Sequence, residues 1–262
     1  MAQPLHVDRL EDGVVLLRLD VPDRRNAMTE ELTAAWSAVL GALAVDDSVR
    51  CLVVTGEGPV FCAGGDLSWL EDSGSLSTDR LRSRMLPFYR IWLRIRDVEV
   101  PTVAVLNGAA VGAGLALALA CDLRYATPQA QLSMPFTSLG IHAGMASTWL
   151  LPEVAGLAVA REMLLTGRVI SGADAVGLGL VNRVFPADSL REQALAIAAT
   201  VATRAPIATR LTKVALASGG HASFEAALAW ESVAQPLTMV TADLREGVQA
   251  ARERRPPRFT GR

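Results

Sequence analysis

Two glycine-rich loops carry the chemistry this chain could do: Phe61-Cys62-Ala63-Gly64-Gly65-Asp66-Leu67 and Asn107-Gly108-Ala109-Ala110-Val111-Gly112-Ala113-Gly114. Each follows an apolar strand-like run, Leu52-Val53-Val54-Thr55 or Thr102-Val103-Ala104-Val105-Leu106, and each leads toward a helix. Backbone N–H groups at such junctions have no partner inside the helix, so two of them brought together can hold a developing oxyanion. Other chemistries find little support in the spacing. Gly112-x-Gly114-x-x-Leu117 lacks the third glycine of a dinucleotide loop, and no glycine–lysine phosphate loop is present. His6, His142 and His221 are scattered, which argues against a metal site, and no serine-nucleophile elbow or visible triad occurs.

The elements that must position these loops are readable from apolar spacing. Val14 to Leu19 reads as a strand ending before Pro22. Thr29 then caps a helix whose Leu32, Trp36, Val39, Leu40 and Leu43 share a face, with Glu30 and Glu31 in its first turn. After the polar stretch 72–78, expected to be mobile, a helix carries Leu81, Met85, Trp92 and Ile95 on one face and a row of arginines on the other. Those arginines lack a nucleic-acid recognition motif and read as a solvated face. Leu115 to Ala120 is apolar all round and predicts a buried helix. Asp122–Ala126 and Gln131–Pro135 read as strands, and from Arg161 onward the chain is mainly helical. Alternating strands and helices followed by helices alone predict an α/β body with a helical C-terminal part.

Composition narrows the class further. The chain has 262 residues, about half of them apolar, which is enough to bury a substantial core. A net charge of −2 gives no general attraction to nucleic acid or an anionic membrane. Three cysteines without a CxxC pair indicate neither a disulfide framework nor a zinc ribbon, and a reducing, cytoplasmic setting fits. The N-terminal residues show no apolar signal core. Val100 to Cys121 is uncharged over 22 residues, the length of a membrane span. Pro101, Asn107, Gly108, Gly112 and Gly114 divide it into strand, turn and helix instead.

In their order and spacing the two loops resemble those of the crotonase superfamily, which includes enoyl-CoA hydratases and isomerases. Leu19-Asp20-Val21-Pro22-Asp23-Arg24-Arg25-Asn26-Ala27-Met28 resembles the family's stretch beside the CoA adenine. Phe61–Leu67 resembles its first oxyanion loop and Asn107–Gly114, through Cys121-Asp122, its second. Leu139-Gly140-Ile141, Thr166-Gly167-Arg168 and Ala173–Val184 resemble later landmarks, so the likeness runs from about residue 5 to 260. It implies a ββα spiral core, expected over 1–195, a helical oligomerisation region over 196–262, and a homotrimer or dimer of trimers. It implies coenzyme A as part of an acyl-CoA substrate, no prosthetic group and no metal. The N–H groups of Gly65 and Ala113 would grip the thioester oxygen, each donor contributing about 3–4 kcal/mol to an enolate-like transition state. Arg24, Arg25, Ala27, Ala63, Gly64, Gly65, Asp66 and Leu67 would contact the coenzyme, with the two arginines suited to its phosphates. The basic tail from Arg252 to Arg262 reads either as a solvated end or as a further contact to coenzyme A.

The pattern breaks where proton transfer should occur. The family's hydratases carry one glutamate three residues after the second oxyanion residue, here Ala116. A second follows the proline after the short strand, here Phe136, and an acid used by some relatives maps near Gly144. Losing a positioned acid or base costs about 10²–10⁴-fold, so ordinary hydration is not expected. His142 is a candidate replacement base, since imidazole titrates near neutrality, or else a wall residue of the pocket. Asp66 is placed to cap the helix that follows it. Tyr89 either packs in the core or reaches the pocket, and Met134, Phe136 and Ala116 are expected around the acyl group. Two readings stay open: an enzyme of altered chemistry, and a non-catalytic acyl-CoA-binding protein that carries or senses its ligand.

Overall fold

A computed structural model describes residues 3–66, 76–217 and 223–262. Its centre is a six-stranded sheet in the order β1 (Leu5–Arg9), β2 (Val14–Leu19), β3 (Cys51–Gly56), β5 (Thr102–Leu106), β7 (Leu123–Ala126), β10 (Arg183–Val184). Within this sheet, among the described residues, β1 and β2 pair antiparallel and the other neighbours pair parallel. A second sheet orders β4 (Val60–Cys62), β6 (Ala109–Val111), β8 (Gln131–Ser133) and β9 (Ile170–Ser171). The chain repeatedly lays one strand in the first sheet and the next in the second, as in β3–β4, β5–β6 and β7–β8. Helices follow these pairs, which builds the expected ββα spiral.

The continuous apolar runs of β3 and β5 arise because both faces of the sheet are covered. Leu52, Val54, Ala104 and Leu106 face the main core, while Cys51, Val53, Val103 and Val105 face a second cluster. That second face is covered by a helix at Leu190–Ala202, whose Leu190, Ala194, Ala198 and Ala202 form a stripe of mostly small residues against the strands. The helix is continuous through residues 195 and 196, where the boundary between core and helical region was expected.

On the main core, α1 (Glu30–Leu43) starts at Thr29, whose hydroxyl accepts from Leu32 N. It buries Leu32, Trp36, Leu40 and Leu43. Trp36 stacks on Trp92 of α2 (Thr78–Leu93) at a centroid distance of 4.9 Å. The polar stretch read as mobile falls largely on 72–75, outside the described residues. The arginines of this helix lie on its solvent side: Arg84 pairs with Glu30, and just beyond the helix Arg96 pairs with Glu153. The uncharged stretch from Val100 resolves into β5, β6 and α3 (Ala113–Leu119), every residue of which is buried. No helix among the described residues is long and apolar enough to cross a membrane.

The rest is helical: α4 (Ser147–Thr166), broken at Gly156, then α5 (Gly172–Gly177), α6 (Leu190–Ala202), α7 (Pro206–Ala217), α8 (Phe224–Met239) and α9 (Ala242–Glu253). Lys213 ties α7 to the sheet. Its buried ammonium donates to the Val100 carbonyl at 2.8 Å and pairs with Asp122 at 2.9 Å.

Candidate active site

The first glycine loop leaves β4 at the buried Phe61 and Cys62 and is held by the segment after β2. Met28 N donates to Gly64 O at 2.8 Å, and Ala63 N donates to Arg25 O at 3.0 Å. Asn26 makes that segment a clamp. Fully buried and with φ of 55°, it donates from Nδ2 to Glu57 O and Val60 O and accepts from Val21 N. Asparagine tolerates this left-handed backbone better than most side chains. That tolerance is the one signal in the sequence that could have marked it as structural.

The two loops interlock because each has a glycine where no Cβ fits. At Gly64, with φ of 93°, a Cβ would lie 2.6 Å from Val111 O and 3.2 Å from Ala113 N. At Gly114 it would collide with Cys62 O. Parallel pairing of β4 with β6 fixes the same approach. Gly65 and Ala113 therefore stand on one wall, and among the described residues neither backbone N–H donates a hydrogen bond. Ala113 opens α3, so its N–H has no partner within the helix. At Gly65 nothing lies within 4 Å of where a Cβ would be.

Both residues line a cleft holding about 720 Å³ of empty space that runs out to solvent. The other walls are largely apolar, with Met85, Phe88, Phe136, Leu139, Ile141 and Met145. Phe136 lies over Gly112, its ring 3.6 Å from where a Cβ would be. The titratable side chains among the described lining residues are Asp66, Tyr89 and His142. Asp66 is ion-paired with Arg24. Tyr89 is half-buried, and burial pushes its phenol above the ordinary range. His142 is exposed at the rim, with Nδ1–H donating to the Ala143 carbonyl at 2.8 Å, so its neutral form keeps Nε2 as an acceptor.

Not every expected residue reaches the cleft. Met134 and Ala116 are fully buried in the core and are absent from its lining. Met134, just past β8, faces the core, whereas at Phe136 the backbone has turned to φ −57° and ψ −47°, and Pro135 and Phe136 line the cleft. Ala116 lies one turn below Ala113, where a methyl group is too short to reach the space. Tyr89 both packs against the main core and lines the cleft. Arg24 engages Asp66, Arg25 is exposed and makes no side-chain ion pair with a described residue, and Ala27 is buried behind the loop with its N–H on Arg24 O. Leu67, and any helix that Asp66 would cap, fall outside the described residues. The sequence reading missed Met85 and Phe88 as lining residues, although Met85 lies one turn before Tyr89 on the same helix and Phe88 is its neighbour. Cys62, beneath the loop, has its thiol pushed up to about 12 by burial and is no nucleophile. Among the described residues no cluster of three histidine, cysteine or acidic side chains could hold a metal ion.

A family model described as enoyl-CoA hydratase/isomerase matches residues 9–262. The chain belongs to the enoyl-CoA hydratase/isomerase family. Human mitochondrial methylglutaconyl-CoA hydratase is 31% identical over 261 residues, covering 98% of this chain and 76% of that protein. The bovine mitochondrial enoyl-CoA hydratase domain-containing protein 2 is 36% identical over 258 residues, covering 95% of this chain and 85% of its own length. Among solved structures, an enoyl-CoA hydratase from Bacillus anthracis superposes with a TM-score of 0.93 at 32% identity. That match covers 99% of this chain and all of the other. The mixed α/β architecture with C-terminal helices is thus that of the crotonase-type enoyl-CoA hydratases.

Proposed function

We propose that this protein binds an acyl-CoA thioester and stabilises its enolate between the N–H groups of Gly65 and Ala113, in a reaction other than ordinary hydration. The observation that carries this reading is a pair of N–H groups on one wall of the cleft that have no hydrogen-bond partner among the described residues, in a family whose members act on CoA thioesters. In a mostly apolar cleft such preorganised donors are worth far more than in water. Ala116 and Phe136 stand where the hydratases' two glutamates are expected, so nothing there can orient and deprotonate water. His142, at the rim, is the candidate for exchanging protons with solvent.

Arg24 and Arg25, with Ala27 and residues 63–67, form the proposed coenzyme side, the guanidinium groups facing the phosphates. The protein acts in the cytoplasm as a homotrimer or dimer of trimers, through the helical region 196–262. Apolar side chains left exposed on α8, such as Phe224, Val233 and Leu237, support that assembly. The loss of both glutamates also favours a second reading, in which the same site binds an acyl-CoA without turnover.

Melting curves with butyryl-CoA and crotonyl-CoA test the shared claim. A ligand at about 100 times its Kd stabilises by about 2.7 kcal/mol and raises the melting temperature. No shift with any acyl-CoA would sink both readings. Turnover of any thioester in the panel would separate the enzyme from the carrier.

A further inference from the structure

Tyr89 and Gly144 meet across the cleft. A Cβ at Gly144 would lie 2.5 Å from the Tyr89 hydroxyl oxygen and 3.1 Å from the ring carbon that bears it. The phenol therefore fills the space into which a side chain at 144 would project. Its hydroxyl makes no hydrogen bond with a described residue, although the ring is half-buried beside Phe88 at a centroid distance of 6.1 Å. Burial holds the phenol protonated at neutral pH.

Among the described residues, the polar groups free to act in the cleft thus have one character. Gly65 N–H, Ala113 N–H and Tyr89 O–H are all donors. Asp66, the lining carboxylate among the described residues, is occupied by Arg24. His142 is exposed at the rim and holds its own neighbour's carbonyl. Hydrocarbon from Met85, Phe88, Phe136, Leu139 and Ile141 makes up most of the remaining wall. Such a cleft suits a reaction whose carbanion arises without a base at the α-carbon.

We propose that Tyr89 is the proton donor of this site, and that the substrate is a 2-carboxyacyl thioester of coenzyme A, whose decarboxylation supplies the enolate. This rests on the oxyanion reading of Gly65 and Ala113. The bond between Cα and the carboxylate carbon breaks, and carbon dioxide leaves. Its electron pair forms the enolate double bond, and the thioester π pair moves onto the oxygen held by the two N–H groups. Negative charge passes from a carboxylate among apolar walls to an oxygen facing two donors, which favours the step. The enolate then collapses: the carbonyl re-forms and Cα takes the proton of the Tyr89 hydroxyl. A thioester α-carbon is a far weaker acid than a phenol, so this transfer runs downhill. The phenolate regains a proton from water at the open mouth, past His142. In sum, one 2-carboxyacyl-CoA and one proton give one acyl-CoA and carbon dioxide.

The test incubates the full-length protein with malonyl-CoA and methylmalonyl-CoA in D₂O and reads the product by mass spectrometry and NMR. The expected product has lost carbon dioxide and carries one deuterium at Cα, on a single face of the propionyl product. Tyr89→Phe keeps the ring, so butyryl-CoA should still raise its melting temperature. Its turnover should fall about 10²-fold, and deuterium should appear on both faces. Gly144→Ala, which presses a methyl group on the hydroxyl, should scramble the label in the same way. The proposal is overturned if butyryl-CoA stabilises the protein while neither carboxyacyl thioester is decarboxylated. It is equally overturned if Tyr89→Phe keeps both rate and stereochemistry. Failure of every acyl-CoA to stabilise the protein would instead remove the oxyanion reading and this proposal together.

Discussion

Gly64 shows how much of this site depends on single atoms. A methyl group there meets Val111 O at 2.6 Å on a backbone with φ of 93°. Gly64→Ala should cost about 1–3 kcal/mol of stability and should also weaken acyl-CoA binding, because relief of the clash moves Gly65 away from Ala113. Denaturant titration and a melting-shift assay read the two effects separately. An unchanged pair of values would contradict the interlocked loops. The thiols give a pH test. Burial raises Cys51, Cys62 and Cys121 to about 12 each. The folded state therefore holds these protons more tightly than the unfolded chain, whose thiols titrate near about 8.5. This stabilisation is complete below that value and is lost as pH climbs toward 12, so the melting temperature should fall across that window. A thiol-reactive disulfide probe at pH 8 should label the native protein slowly and the unfolded protein at three sites. Rapid native labelling would show the burial to be wrong.

Asn26 clamps neighbouring elements together. Its amide holds the segment after β2 by accepting from Val21 N and ties it to Glu57 O and Val60 O, at the entry to β4, through two hydrogen bonds, and Arg25 O beside it receives Ala63 N. Asn26→Ala should destabilise by about 1–3 kcal/mol, since buried carbonyls are left unpaired. It should also loosen acyl-CoA binding, though the residue does not line the cleft. Calorimetry that found stability lowered and affinity untouched would show the clamp to be structural only. The strands and helices around this clamp were legible in the sequence where apolar period and caps agreed, as at Thr29, Val14–Leu19 and the run after Gly112. The meeting of the two glycine loops was legible too, because each ends an apolar strand. The cover of the sheet by α6 was not, since an alanine stripe carries little hydrophobic signal. Nor was the inward facing of Met134 and Ala116, which depends on where the backbone turns and on depth rather than residue type.

The whole molecule leaves apolar side chains uncovered on both sides of α8. No residue of α8 is buried, and Phe224, Leu228, Val233, Leu237 and Met239 are exposed along it. Larger exposed apolar patches mark association sites. Sedimentation should therefore give a species larger than one chain, and Val233→Asp should shift it toward the monomer. A monomeric wild-type protein would contradict the proposed assembly. The central claim lies deeper, in the grip of Gly65 and Ala113 on the thioester oxygen. Ala113→Pro tests it cleanly, because proline at the first helical position removes the N–H while the helix keeps its own hydrogen bonds. The direct measurement is the infrared stretch of butyryl-CoA labelled with ¹³C at its thioester carbonyl. Bound to the wild-type protein, that band should move to lower frequency than in water, and in Ala113→Pro much of the shift should disappear. A bound carbonyl that vibrates as it does in water, or one indifferent to the proline, would contradict the account.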